Sequence, residues 1–256
     1  MVSVAPVSPI AIDPDRELAE LKEYLGDAYD HAHLQRYAEA VDQELAEVGD
    51  EPTLYRTSQM YLYNLTAFAM SRTKEPYLAD LADLVPRGGR ILDYGCGIGS
   101  DGLLLLEAGY EVGFADFGNP SADYLRWRLR KRGFEAPVYD LDSDPPPPGW
   151  DAAYSFDVIE HVEDPFGFLA ILERLAKLVV VNFLAPVPDE PDVHHELPIP
   201  QLLDHAAARR LRRYRIYHGR SHLVLYEGKP GRHLVNRGRI AVSRIRANRR
   251  DDRNRI

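Results

Sequence analysis

Apolar positions recur at two different spacings along the chain, and the change from one to the other lays out the expected architecture. Over residues 15–48 the spacing is helical, with Leu18, Leu21 and Leu25 three and four residues apart. A second helical stretch over residues 55–71 carries Tyr55, Met60, Tyr61, Tyr63, Leu65 and Phe68. These aromatics are expected to pack one helix on the next, with the wall of a substrate pocket as the alternative use. Residues 1–14 are Pro-rich and apolar without a period, and are expected to be irregular.

From residue 76 onward, short apolar runs alternate with helical segments. A short helix over 76–84 ends at Pro86 and Gly88-Gly89, and residues 91–93 form a strand. A helix over 100–108 closes at Gly109, and 110–117 reads as the second strand. Asn119 can cap the next helix, Pro120 suits its first position and Gly133 its stop, with Ala122, Leu125 and Leu129 on one face. Residues 136–140 and 152–156 supply the third and fourth strands. A helix opens at Asp164-Pro165, with Phe168, Leu172 and Leu175 on one side, and the apolar run 179–183 makes the fifth strand. A helix over 200–214 and two short β segments, 215–218 and 222–227, complete the pattern. The expected fold is therefore α/β: a Rossmann-like, doubly wound, mostly parallel sheet with an antiparallel C-terminal edge hairpin and an N-terminal helical segment. Expected domains are an N-terminal helical lid over 1–75, a core over 76–228 and a basic, flexible tail over 229–256. No internal repeat is present.

With 256 residues, 45% of them hydrophobic and 28% charged, the composition is that of an ordinary globular protein. No apolar run approaches the roughly 18–20 residues a membrane span needs, and no secretory leader is expected. The single cysteine, Cys96, excludes an internal disulfide, and a reducing, cytoplasmic setting is expected. The formal net charge of -9 conceals an asymmetry, because residues from 201 onward hold sixteen Lys/Arg against four Asp/Glu. The acidic remainder argues against a general nucleic-acid binder, while the basic end leaves a local anionic contact open.

The candidate chemistry begins at Asp93-Tyr94-Gly95-Cys96-Gly97-Ile98-Gly99. A strand, a glycine loop and a helix make a nucleotide-binding turn, since glycines let a ligand approach the backbone closely. Asp116 ends the next strand, where a carboxylate can accept hydrogen bonds from both ribose hydroxyls of an adenosine. Gly97, Gly99 and Gly102 also satisfy the G-x-G-x-x-G pattern of dinucleotide sites. A pyrophosphate, however, would be repelled by Asp93 before the loop and Asp101 after it. Acidic neighbours favour a ligand carrying an ammonium and a sulfonium. Cys96 reads as a small packing residue.

The loop Asp93–Gly99 resembles the first motif of the class I S-adenosylmethionine-dependent methyltransferases, and the likeness runs from about Ile91 to Glu227. The resemblance implies that Asp93, Gly95, Gly97 and Gly99 hold the methionine moiety and Asp116 the ribose. Phe117 would lie against the adenine, and Asp140 would take its exocyclic amine, with Leu141 beside it. For Asp140, the plain alternative is one solvated acid among Asp140, Asp142 and Asp144. The stretch Phe156–Pro165 resembles the E-H-x-x-D-P segment of the ubiquinone-type and natural-product branch, where the position matching Phe156 touches the cofactor through its backbone.

His161 could act there as a general base on a substrate hydroxyl or amine, or shape the pocket floor. Asp157, Glu160 and His161 stand at i, i+3 and i+4, so one helical turn could aim them at a single point. With His194 or His195 they could hold a divalent cation, as in some ubiquinone-pathway and small-RNA 2′-O-methyltransferases, although Asp157 is shorter than the Glu usual there. The leading expectation, without a committed metal, is methyl transfer to an O, N or C nucleophile of a small molecule in secondary metabolism. Two rivals remain at this stage: a metal-assisted RNA-end 2′-O-methyltransferase and a non-catalytic S-adenosylmethionine-binding partner protein. Neither the acceptor nor the oligomeric state is written in the sequence.

Overall fold

The computed structural model describes residues 10–185 and 195–254, with side chains to residue 247. The chain divides into two compact units, Met1–Pro146 and Pro147–Ile256. In the first, helices α1 (Pro14–Leu25), α2 (His31–Gln35), α3 (Tyr37–Val48), α4 (Glu51–Thr57), α5 (Met60–Met70) and α6 (Glu75–Ala82) precede β1 (Arg90–Tyr94). Then come α7 (Ser100–Glu107), β2 (Glu111–Asp116), α8 (Pro120–Arg132) and β3 (Val138–Asp140). The second unit holds β4 (Trp150–Ser155), a 3-10 turn (Ile159–His161), α9 (Pro165–Leu175) and β5 (Ala176–Leu184). It continues with α10 (Ile199–Ala208), β6 (Arg209–Tyr217), β7 (Ser221–Pro230) and α11 (His233–Asn254).

The strands form a seven-stranded mixed sheet, the Rossmann-like α/β class expected. In the first unit β2 pairs parallel with both β1 and β3, so Tyr94 lies opposite Ala115 and Asp116 opposite Asp140. Three carboxyl-terminal strand ends, carrying Asp93, Asp116 and Asp140, therefore point the same way. In the second unit β4 and β5 are parallel, while β7 runs antiparallel to β5 and β6, giving the expected edge hairpin. Among the described residues no helix is long and apolar enough to cross a membrane.

The helix expected over 15–48 is three helices. Gly26 takes a left-handed φ of +53° after α1, and Asp30 caps α2 by accepting from the Ala32 amide at 2.8 Å. A local hydrogen bond thus wins over the continuing apolar period. The stretch over 55–71 likewise breaks at Ser58, whose hydroxyl accepts from the Tyr61 amide at 2.9 Å. Asn119, Pro120 and Gly133 perform the expected start and stop of α8, with Asn119 Oδ1 accepting from the Ala122 amide at 2.8 Å.

Two differences lie near the C-terminal end. Residues 209–214 belong to β6, not to a helix. Buried Leu211 and Tyr214 stand three apart because the strand bulges between Leu211 and Arg213, and that bulge imitates helical spacing. The expected flexible tail is helix α11. Its Asn236 side chain donates to the Ala207 and Arg209 carbonyls, both at 3.0 Å, and Ile240 is buried one turn on. Satisfying the last carbonyls of α10 docks a helix whose arginines alone suggested a solvated end.

Tyr63 is buried in a cluster with Leu21, Leu34, Leu62, Ile98 and Tyr124, so this aromatic packs helix on helix. The same cluster seats the N-terminal helices on Ile98 of the glycine loop. Beneath it, Arg128 is fully buried and donates to Glu20 at 2.8 Å, to the Ile98 carbonyl at 2.9 Å and to the Ser100 hydroxyl at 2.8 Å. It also pairs with Glu17, while Arg132 bridges Glu17, Glu20 and Glu107.

In the second unit, Tyr214 and His222 stack, with the hydroxyl 2.7 Å from Nδ1. Burial, and then the positive charge of Arg244, push the imidazole down to about 4. Folding thus favours the neutral ring, and this contribution is complete above about pH 6.5 and lost as the pH falls towards 4. Urea unfolding across that window should show a loss of stability that His222→Gln makes shallower; identical slopes in both proteins would refute the assignment.

Candidate active site

The glycine loop is built from β1 outward. Asp93 is buried at the strand end, and the Gly95 and Cys96 amides donate to the Ala115 carbonyl at 2.8 and 3.2 Å, tying the turn to β2. Gly95, Gly97 and Gly99 all have positive φ, between +51° and +78°, a backbone other residues adopt only with strain. Gly102 serves differently. A Cβ there would lie 2.3 Å from the Phe114 ring and 2.9 Å from Asp93 Oδ2, so its absence lets α7 begin against the Asp93 carboxylate. The positive end of α7 favours that charge. Burial pushes the Cys96 thiol up, and the charges of Asp116 and Asp93 add to this, as suits a packing residue.

Asp116 closes the loop from the next strand. Its Oδ2 accepts from the Gly97 amide at 2.6 Å and its Oδ1 from the Phe117 amide at 2.7 Å. Burial raises this carboxyl, and the two amides and Asn119 pull it part of the way back. The Leu141 amide donates to the Asp116 carbonyl at 2.9 Å, bringing β3 alongside. Asp140 accepts from the Ser143 hydroxyl at 2.7 Å and from the Asp142 and Gly118 amides at 3.0 and 3.2 Å. Those bonds hold it below the usual carboxylate range. Asp93, Gly95, Gly97, Gly99, Asp116, Phe117, Asp140 and Leu141 are thus gathered along one end of β1, β2 and β3.

Sequence reasoning missed Arg56 here. Its guanidinium lies 3.9 Å from the centre of the Phe117 ring and grips Asp142 through two bonds of 3.0 and 3.1 Å. Asn119 Nδ2 fixes the same helix, α4, by donating to the Tyr55 carbonyl at 2.9 Å. No local pattern links Arg56 to a ring some sixty positions later; only the tertiary fold does.

The second motif lies in the other unit. Phe156 is buried at the end of β4. Asp157 follows with φ +55°, held by a reciprocal pair: its amide donates to Asn182 Oδ1 at 2.9 Å, and Asn182 Nδ2 donates to its carboxylate at 2.7 Å. Asn182 Nδ2 also lies 3.2 Å from Ser221 Oγ. Asn182 is the polar exception in a strand read as apolar, and it is fully buried. The 3-10 turn then buries Glu160 and leaves His161 partly exposed, and the Glu160 carbonyl accepts from the His195 amide at 2.8 Å.

A single helical turn aiming Asp157, Glu160 and His161 at one point does not form, because Asp157 is left-handed and bound to Asn182. Among the described residues no three His, Cys, Asp or Glu side chains are grouped as a metal ion requires, and His194 lies outside the described residues.

Residues 69–224, more than half of the chain, match the family model described as a methyltransferase domain. The chain belongs to the methyltransferase-domain family. No curated protein matches this methyltransferase by sequence. Among solved structures it is similar to magnesium protoporphyrin IX methyltransferase (ChlM) from Synechocystis PCC 6803 with bound SAM, at 16% identity and TM-score 0.52, over 85% of this chain and 98% of that one. It is also similar to the [4+2]-cyclase SpnF, at 17% identity and TM-score 0.53, over 64% and 83% of the two chains. TehB from Haemophilus influenzae is matched at 16% identity and TM-score 0.50, over 59% of this chain and 61% of TehB, under two thirds of its length. These likenesses are of fold. The first unit of this methyltransferase fits a cationic adenosyl ligand: a buried Asp93, a positive-φ glycine backbone and an anchored Asp116 suit such a compound better than a pyrophosphate.

Proposed function

We propose that this methyltransferase moves the S-adenosylmethionine methyl group to an O, N or C nucleophile of a small molecule, in the cytoplasm and in secondary metabolism. The observation that carries the reading is Asp116, whose two oxygens already span the Gly97 and Phe117 amides. Each carboxylate oxygen keeps a second lone pair for a ribose hydroxyl. Asp93 and Gly95, Gly97 and Gly99 receive the methionine end, Phe117 the adenine face, and Asp140 with Leu141 the adenine edge.

The bound donor supplies an electrophilic methyl on sulfur. His161 takes the proton that the acceptor atom releases as that methyl arrives, and the rest of the rate comes from positioning. The fold alone hosts other chemistry, as the cyclase neighbour illustrates.

The experiment is a methyl-labelled donor with a panel of phenols, amines and enolisable small molecules, followed by mass spectrometry. One labelled methyl in a product supports the reading, and label found only in RNA 3′ ends replaces it. In the same assay His161→Gln should lower kcat by about a hundredfold or more. Donor affinity should stay at the wild-type value. An unchanged kcat would leave His161 as part of the pocket floor.

A further inference from the structure

Helix α11 docks by one face and leaves an apolar stripe on the other. Asn236 and Ile240 are buried, whereas Leu234, Val235, Val242 and Ile245 are 82%, 57%, 47% and 53% exposed. At 3.6 residues per turn these four, with Gly238 between them and Ala241 at one edge, fall on one side of the helix, opposite the docked face. Exposed arginines border the stripe on both edges: Arg246 and Arg239, the latter also donating to the Leu211 and Arg212 carbonyls, on one, and Arg244 and Arg237, the latter paired with Asp204, on the other.

An isolated exposed leucine needs no explanation, but a continuous apolar stripe between two basic rows does. We propose that α11 is a docking surface for an anionic lipid bilayer, lying in the plane of the interface with its stripe among the acyl chains and its arginines at the headgroups. Of the available partners, only such a surface satisfies stripe and arginines together. A second copy set stripe against stripe would bring arginine rows face to face. A nucleic acid would engage the arginines and leave the apolar stripe in water. The charge distribution agrees: sixteen Lys/Arg after residue 200 stand against a net charge of -9 for the whole, so an anionic surface attracts this end and repels the remainder. Surface docking is distinct from spanning, which no described helix can do.

The test is flotation of the full chain with vesicles of phosphatidylcholine alone or with one-third phosphatidylglycerol. Binding to the anionic vesicles should be at least about tenfold stronger and should weaken steeply as salt rises. Val242→Glu/Ile245→Glu should abolish it while melting temperature and S-adenosylmethionine affinity stay at wild-type values. Equal partitioning to both vesicles, or none, overturns the proposal. So does a dimer in light scattering that the double variant dissolves, which would make the stripe a contact between copies. Retention on RNA that the double variant leaves intact, without vesicle binding, would assign the arginines to nucleic acid instead.

Discussion

Asp116→Ala is expected to weaken S-adenosylmethionine binding by about a hundredfold or more, from the loss of two hydrogen bonds to a charged acceptor at roughly 1.5–3 kcal/mol each. The loss has a second source. Without the carboxylate, the Gly97 and Phe117 amides it now engages must find water, and Gly97 loses the contact that holds the loop against β2. Asp116→Asn keeps one acceptor oxygen near the same place and should fall between the two proteins. Isothermal titration of donor into all three is the measurement, with thermal melts to establish that each is folded. An alanine variant that melts normally and binds like wild type would contradict the ribose assignment.

Arg128→Met should be the most destabilising single change considered, at about 3–5 kcal/mol, because it strips one cation from two buried carboxylates. In a chain of this size that corresponds to a drop in Tm of about 6–20 °C. Burial raises the Glu20 carboxyl, but Arg132 and Arg128 outweigh it and hold it low. The network therefore contributes fully above the ordinary carboxylate range and is lost as pH falls through the lowered value. Arg128→Lys retains the charge and loses the planar fork that reaches Glu17, Glu20, Ser100 and the Ile98 carbonyl at once, so its loss should be intermediate. A methionine variant with wild-type Tm would show that Arg132 alone neutralises the pair.

The parts legible in the sequence are those whose physics is local. The glycine loop, the Asn119 cap with Pro120 and the Gly133 stop are set by backbone conformation within a few residues, and each stands where expected. The parallel strands announced themselves by composition, because burial on two faces demands apolar runs. What stayed hidden depends on partners distant in sequence. Arg56 meets Phe117 and Asp142 only after the chain has folded back, and Asn182 finds Asp157 across neighbouring strands. The β6 bulge shows the converse failure: a local irregularity copied helical spacing, and only its pairing with β7 reveals a strand. Helix α11 was obscured by its arginines, since two docked residues, Asn236 and Ile240, outweigh a basic composition.

The Glu17–Glu20–Arg128 network also bears on how this protein emerges during synthesis. Glu17 and Glu20 leave the ribosome more than a hundred residues ahead of Arg128. At about 5–20 residues per second, α1 waits several seconds or longer for the cation that allows its carboxylates to be buried. Until then, docking the helix would leave two bare charges in a buried setting, so a helix made well before its partner is among the last to settle. Late closure of so long a loop places this protein with the slower-folding topologies, and the delay falls on the segment that covers the glycine loop.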